Sequence, residues 1–271
     1  MISSALLVVG LVLALAILVR LIEPSFAFFP LAGESVTPRD LGVPYEPQTI
    51  TTSDGERLRT WRVDAAPPRA LIVYFHGNGG NLSVWAPIVG TIARRGYSVL
   101  AVDYRGYGLS TGRPTERGLY RDVDAIVGSV AGGGDPPRPI VYWGRSLGTT
   151  MAAYAATVRP PDGVILESGF PDARALVRSS PPLALLALFS TYRFPTAKLM
   201  EHVDVPVLVM HGDADTVIPF ALGRVLFDRI PERKKQFFVV RGGDHNDVVP
   251  ADEEAYWNAV DGFIGQIASK R

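Results

Sequence analysis

The sequence predicts an α/β fold in which a mostly parallel central sheet is covered by helices on both faces. Apolar runs of strand length alternate along the chain with longer runs of helix length, which is the pattern of repeated strand–helix units. One of these units carries Gly144-Arg145-Ser146-Leu147-Gly148 between its strand and its helix. Hydrophobic residues make up 47% of the 271 residues, enough for a core covered on both faces of one large sheet.

The first segment differs from the rest of the chain and predicts a transmembrane anchor over residues 1–22. Residues 2–19 contain no charged side chain, and this apolar run ends at Arg20. As a helix with a rise of ~1.5 Å per residue, the run is about 27 Å long, close to the ~30 Å hydrocarbon core of a bilayer. A cleaved signal peptide is the main alternative, but no Lys or Arg precedes the run and no A-x-A-like site follows it. A buried core helix is the third interpretation. It is less favoured because the run is apolar on all sides and so has no polar face to turn towards solvent.

The elements that follow are predicted in chain order. Prolines between positions 30 and 47 predict an extended linker, so we expect a linker over 23–46 and a folded domain over 47–271. Asp54-Gly55 is a hairpin signal that joins the first pair of strands. The expected strands are 47–52, 56–63, 70–75, 97–102, 138–143, 163–166, 206–210 and 236–240. The expected helices are 82–95, 117–130, 149–157, 220–230 and 252–267.

Polar clusters follow several of these strands. In a parallel sheet the carboxyl ends of the strands meet at one edge, where the functional site of such folds lies. We therefore expect the clusters to converge there. They are residues 76–81, 103–106, 167–169, 211–215 and 242–247.

The glycine-flanked serine predicts a nucleophile elbow, a sharp turn between a strand and a helix. Gly144 and Gly148 let the strand and the helix approach closely, and the turn exposes the hydroxyl of Ser146 at the carboxyl edge of the sheet. A five-residue pattern with two glycines also occurs by chance in loops. The strand before it and the alanine-rich helix after it favour the elbow, with Ser146 as a catalytic nucleophile.

A serine nucleophile needs a base and a carboxylate that orients the base. His245 is the expected base because it follows the last strand and lies after both the serine and the acid, the chain order of this kind of site. Asp213 and Asp215 compete for the role of the acid. Asp215 is favoured because it lies deeper in its loop and precedes apolar residues, whereas Asp213 is expected to cap backbone N–H groups of the turn after Gly212.

The expected oxyanion hole consists of two backbone N–H groups, those of Leu147 and Asn78. The glycine-rich loop around Asn78 lacks the lysine and the spacing of nucleotide-binding loops, so phosphate binding is not expected. The nearby aspartates offer oxygen ligands for a hard cation, but the chain has no EF-hand spacing and no H-E-x-x-H. The serine chemistry requires no cofactor and no metal.

Charge and cysteine content exclude further classes of function. The 27 Lys and Arg residues balance 27 Asp and Glu residues, so the formal net charge of +0 gives no reason to expect nucleic-acid binding. The chain has no cysteine, which rules out disulfides, cysteine-ligated metals and a thiolate nucleophile.

From about residue 43 to the end, the chain resembles the α/β-hydrolase superfamily. It is most similar to the membrane-anchored BEM46-like serine hydrolases with an α/β-hydrolase domain (ABHD13/ABHD17-like). The resemblance rests on the order and spacing of residues 74–81, 103–110, 144–148, 211–215 and 244–247. It implies Ser146 as nucleophile, Asp215 as acid and His245 as base. It also implies an acyl ester or thioester substrate, since some relatives remove acyl groups from lipids or lipidated proteins.

Two other functions stay open, a serine peptidase of the same fold and a non-catalytic membrane binding protein.

The resemblance is weakest over residues 171–205, which are expected to form a short cap-like insertion. Its apolar stretch, residues 181–189, predicts a cap helix over an acyl pocket, a patch on the membrane, or packing against the edge of the sheet.

Overall fold

The structure, a computed structural model, describes residues 2–131, 138–180, 190–231, 235–247 and 251–269. Its centre is an eight-stranded sheet. The strands of this sheet are β2 (Glu46–Thr51), β3 (Arg57–Val63), β4 (Leu71–Phe75), β6 (Ser98–Val102), β7 (Ile140–Arg145), β8 (Gly163–Glu167), β9 (Val207–Gly212) and β10 (Lys235–Val240). Across the sheet they lie in the order β10-β9-β8-β7-β4-β6-β3-β2. All neighbours from β6 to β10 are parallel, while β3 is antiparallel to both β2 and β6.

Helices cover both faces of the sheet, as predicted for an α/β fold. The helices are α1 (Ile2–Ala27), α2 (Leu82–Arg94), α3 (Glu116–Ala131), α4 (Leu147–Val158), α5 (Ala173–Arg178), α6 (Thr196–Met200), α7 (Phe220–Arg229) and α8 (Glu253–Ala268). Side chains of α3, α4 and α7 pack in one core cluster, and side chains of α2 and α8 pack in a second. Alternate residues of β4 enter the two clusters, with Val73 in the first and Ile72 in the second. A strand buried on both faces is apolar at every position, and this explains the continuous apolar run in the sequence.

Each predicted strand and helix of the domain is present, and most of the bounds differ by one or two residues. The predicted hairpin at Asp54-Gly55 joins β2 to β3. The mostly parallel α/β fold is therefore confirmed. The apolar stretch 181–189 lies outside the described residues.

The N-terminal helix α1 runs to Ala27, five residues beyond the end expected from the sequence. Its segment Leu6–Ser25 has a mean hydropathy of 2.6 and is long and apolar enough to cross a membrane. Only 6% of that window is buried, so this segment is not a core helix of the described fold. The expectation of an apolar helix long enough to cross a membrane is thus met.

The residues after α1 pack on the domain rather than running free as a linker. The two-residue strands β1 (Phe29–Pro30) and β5 (Gly79–Gly80) pair in parallel, and a short 3-10 helix covers Pro38–Leu41. The carboxylate of Glu34 accepts hydrogen bonds from the Arg59 guanidinium and, at 2.7 Å, from the Trp61 indole. The segment is therefore not extended throughout, and it has polar partners on the domain.

Candidate active site

Ser146 lies in a strained turn between β7 and α4. Its φ is 55° and its ψ is −120°, in a region that residues with a side chain rarely adopt. A Cβ atom at position 144 would lie 2.1 Å from the carbonyl oxygen of Gly148, and one at position 148 would lie 2.0 Å from that of Phe75. Both glycines are thus required by close backbone contact, and this contact turns Ser146 towards the carboxyl edge of the sheet.

The structure brings Ser146, His245 and Asp215 into one chain of hydrogen bonds. The Nε2 atom of His245 lies 3.1 Å from the Oγ atom of Ser146. The Nδ1 atom of His245 lies 2.8 Å from the Oδ2 atom of Asp215. These three side chains come from the loops after β7, β9 and β10, whose carboxyl ends meet at this edge. The arrangement can remove the serine proton and hold the resulting imidazolium.

Hydrogen bonds from several groups hold the Asp215 carboxylate and favour its ionised form. Burial raises its pKa, but hydrogen bonds from His211 and His245 outweigh that effect and lower the pKa below the usual range of an aspartate. Its Oδ1 atom also accepts hydrogen bonds from the backbone N–H groups of Val217, at 3.0 Å, and Ile218, at 2.7 Å. Asp215 therefore keeps a negative charge beside the imidazole of His245.

Asp213, the competing acid, lies elsewhere in the same loop. Its carboxylate accepts the backbone N–H of Gly242 at 2.6 Å and faces the side chain of Arg241. It caps a backbone N–H of the loop after β10, and not one of the turn after Gly212 as the sequence predicted. The structure brings Asp215 and not Asp213 into contact with His245.

The two residues expected to form the oxyanion hole lie near Ser146 along the chain or in space: Leu147 follows it, and Gly77, the neighbour of Asn78, packs against it. Leu147 is the first residue of α4, so its N–H has no acceptor within the helix. A Cβ atom at Gly77 would lie 3.4 Å from the Cβ atom of Ser146, which places the loop of Asn78 against the serine. The Asn78 side chain donates to the carbonyl of Ala27 at 2.6 Å, and the Tyr107 hydroxyl donates to its Oδ1 atom at 2.9 Å. These contacts fix the loop from two sides.

Sequence reasoning missed the contribution of Arg145, the residue before the serine. Its guanidinium is buried and donates to the backbone carbonyls of His245 at 2.9 Å and Asp247 at 2.6 Å. Burial alone lowers the pKa of Arg145, but the carboxylate of Glu167, 3.1 Å away, helps to raise it, so the side chain remains positive. Arg145 thereby ties the loop of the base to the elbow. The signal in the sequence was a charged residue at the end of a fully apolar strand.

His211 is a second residue whose role was not predicted. Its ring is completely buried, and its Nε2 atom lies 2.9 Å from the carbonyl of Ile218 and 3.4 Å from the Oδ2 atom of Asp215. It thus contacts the same carboxylate oxygen of Asp215 as His245 does. In the sequence, His211 cannot be distinguished from an ordinary core histidine at the end of a strand.

The chain is similar to known proteins over most of its length. Residues 66–202 match the model of the family described as serine aminopeptidase, S33 (Hydrolase_4). An uncharacterized membrane protein of Saccharomyces cerevisiae, YNL320W, is 31% identical over 252 residues, which are 90% of this chain and 88% of that protein. The mouse lysophosphatidylserine lipase ABHD12 is 34% identical over 206 residues, 67% of this chain and 51% of the lipase, so the match spans about half of that relative.

Among solved structures, the Pyrococcus furiosus esterase Pf2001 superposes with a TM-score of 0.74 at 19% identity. The superposition covers 89% of this chain and 98% of the esterase. At this identity, the likeness concerns the fold.

Proposed function

The chain belongs to the α/β-hydrolase family described by the serine aminopeptidase S33 (Hydrolase_4) model, and from this we propose that it is a membrane-anchored serine hydrolase of carboxylic esters or thioesters. The observation that carries the proposal is the chain of hydrogen bonds from Ser146 through His245 to Asp215. Such a chain activates a serine hydroxyl that is otherwise a weak nucleophile.

The proposed reaction proceeds through an acyl-enzyme. The Oγ atom of Ser146 attacks the substrate carbonyl while the Nε2 atom of His245 takes the serine proton, and Asp215 stabilises the imidazolium. The N–H groups of Leu147 and Asn78 donate to the oxyanion of the tetrahedral intermediate. His245 returns the proton to the leaving alcohol or thiol, and the bond between the acyl group and that leaving group breaks. Water, activated by His245, then releases the acid and regenerates Ser146.

Relatives support an acyl substrate and an attachment to the membrane. ABHD12 is named as a lysophosphatidylserine lipase and Pf2001 as an esterase, and both cleave esters by those names. The yeast relative is named as a membrane protein. Together with the exposed apolar helix Leu6–Ser25, this supports a single-pass N-terminal anchor that tethers the hydrolase to a bilayer.

A comparison of matched substrates tests the proposal. The full chain in detergent micelles is assayed on an ester, a thioester and a peptide amide that carry the same acyl group, with Ser146→Ala as the control. We expect hydrolysis of the ester or thioester by the wild type and none by the variant. Equal rates for the wild type and Ser146→Ala would contradict the proposal, because the hydrolysis would then not depend on the serine.

A peptidase is the second candidate, because the matching family model is described as a serine aminopeptidase. The same triad cleaves amides in other proteins. Preferential cleavage of the peptide amide in the matched assay would favour this candidate over the ester hydrolase.

A further inference from the structure

The end of α1 is attached to the loop that lies against Ser146. The carbonyl of Ala27, the last residue of the helix, accepts the side-chain N–H of Asn78 at 2.6 Å. Immediately afterwards, β1 pairs with β5 of the same loop, and the N–H of Leu31 donates to the carbonyl of Gly80 at 2.8 Å. The apolar helix therefore ends directly beside the expected oxyanion loop.

A second set of contacts joins the helix to the segment that follows residue 189. The carboxylate of Glu23 accepts hydrogen bonds from the backbone N–H of Thr191 at 3.0 Å and from its hydroxyl at 2.5 Å. The buried ring of Phe28 packs edge-on against Tyr192 and Phe194, with ring centroids 5.4 Å and 6.1 Å away. These two separate attachments fix the orientation of the domain relative to the axis of helix α1.

Large apolar side chains are exposed at the point where α1 meets the domain. Phe29 is 56% exposed, Leu31 52%, Val84 44% and Leu109 55%, and we call these four the apolar patch. They are neighbours through the backbone. Phe29 and Leu31 are two residues apart in the segment that contains β1. This segment pairs with Gly80. Gly80 lies next to Val84, because a Cβ atom at Gly80 would be 2.6 Å from the Val84 side chain. The N–H of Gly108, next to Leu109, donates to the carbonyl of Leu31 at 2.9 Å.

We propose that the apolar patch lies in the interfacial layer of the bilayer that α1 crosses, and that the site takes long-chain acyl esters or thioesters directly from that bilayer. The proposal rests on the proposed function and names its substrate class. The occupant is lipid because the patch begins two residues after the end of an apolar helix that is itself exposed, and the attachments of that helix hold the patch at its end. Exposed apolar side chains that continue a membrane-facing surface are stabilised by burial among acyl chains.

The patch also lies beside the site, so a chain of lipid has a short route to the serine. The loop that pairs with β1 continues from Gly77, which packs against Ser146. An acyl group that leaves the bilayer at the patch therefore reaches the site without crossing bulk water, and crossing water is the unfavourable step for a long acyl chain.

The test uses the full chain in phosphatidylcholine vesicles with the double substitution Leu31→Glu and Leu109→Glu. Two esters are compared, a water-soluble acetate and a long-chain acyl ester dissolved in the vesicle. We expect the acetate rate to stay unchanged and the long-chain rate to fall about tenfold or more, because two charges oppose insertion of the patch. The matched control carries Val158→Glu and Val225→Glu, at positions 46% and 41% exposed on α4 and α7, and both of its rates should equal those of the wild type.

An optical measurement tests the same contact without any turnover. Trp85 is half-buried beside Val84, whereas Trp61, Trp143 and Trp257 are at most 3% exposed. Lipids brominated in their acyl chains should quench the fluorescence of the wild type, and Trp85→Phe should remove the quenched component.

The outcomes separate the two proposals. Equal long-chain rates for the wild type and the double variant would overturn the inference while leaving the hydrolase intact. The rates alone do not decide if both rates of the double variant fall together, or if the wild type cleaves neither ester. In these cases the fluorescence of Trp85 in the wild type decides. Unquenched Trp85 overturns the placement of the patch in the bilayer, and quenched Trp85 supports it. A wild type that is quenched but cleaves neither ester would contradict the proposed function and the substrate named here, and would leave only the placement of the patch in the bilayer supported.

Discussion

Asp213 and Asp215 are separated by one residue, yet the structure gives them different partners. We expect Asp215→Asn to lower kcat/KM on the order of 10⁴-fold, because the imidazole of His245 then loses the charge that orients it. Asp213→Asn is the matched control and should stay within a few-fold of the wild type, since its carboxylate bonds to Gly242. Steady-state kinetics on an activated ester measures both. The reverse order of effects would make Asp213 the acid.

The pH dependence of the reaction should report His245 alone on its acidic side. His245 must be neutral to accept the serine proton, so acidification should reduce kcat/KM. Asp215 should not add to this decline, because the hydrogen bonds from His211 and His245 overcome the effect of burial and lower its pKa below the usual range. A plot of log kcat/KM against pH should therefore fall on its acidic side with the slope of one proton. A two-proton slope would show that the acid titrates with the base.

The candidate site was predictable because its chemistry restricts residue type and order. A serine in a glycine-flanked turn, a later aspartate and a still later histidine leave few choices along the chain. The contacts of Arg145 were not predictable, because they reach backbone carbonyls 100 and 102 residues away and depend on how two loops fold. Every residue has a backbone carbonyl, so the sequence does not show which carbonyls a buried arginine will contact.

The turn between β7 and α4 depends on close backbone contact, so its glycines should resist replacement. We expect Gly148→Ala to destabilise the chain by about 1–3 kcal/mol or more, since its Cβ atom would lie 2.0 Å from the carbonyl oxygen of Phe75. Gly128 lies in the exposed part of α3, where an added Cβ atom would have nothing within 4 Å beyond its own helix. Gly128→Ala is therefore the control and should be neutral or stabilising by up to ~1 kcal/mol. Thermal denaturation compares the two. A Gly148→Ala variant as stable as the wild type would contradict the geometry of the turn.

Helix and strand bounds followed from the sequence where periodicity was strong and failed where tertiary contacts decided. The helix α1 continues past Pro24 to Ala27, and the N–H of Phe28 still donates to the carbonyl of Pro24 at 3.1 Å. Its final turn is held by Glu23 and by the buried ring of Phe28. The pairing of β1 with β5 joins a Phe-Pro to a Gly-Gly dipeptide, and neither has a strand pattern of its own.

Across the full chain, the sheet explains why distant residues form one site. Alternating strands and helices predicted a parallel sheet, and a parallel sheet places the ends of β7, β9 and β10 along one edge. The orientation of α1 relative to that edge was not predictable, because it results from single hydrogen bonds such as that from Asn78 to Ala27. Patterns of hydrophobicity determine which faces are buried but not which polar groups meet.

The central claim is that Ser146 is an activated nucleophile. The most direct test is labelling with a fluorophosphonate probe, applied to the purified full chain and to Ser146→Ala, with the fold of both verified by circular dichroism. We predict that the wild type is labelled and that Ser146→Ala is not, because only a serine hydroxyl deprotonated by a base such as His245 reacts with the probe. A folded wild type that remains unlabelled, or a variant labelled to the same extent, would contradict the account.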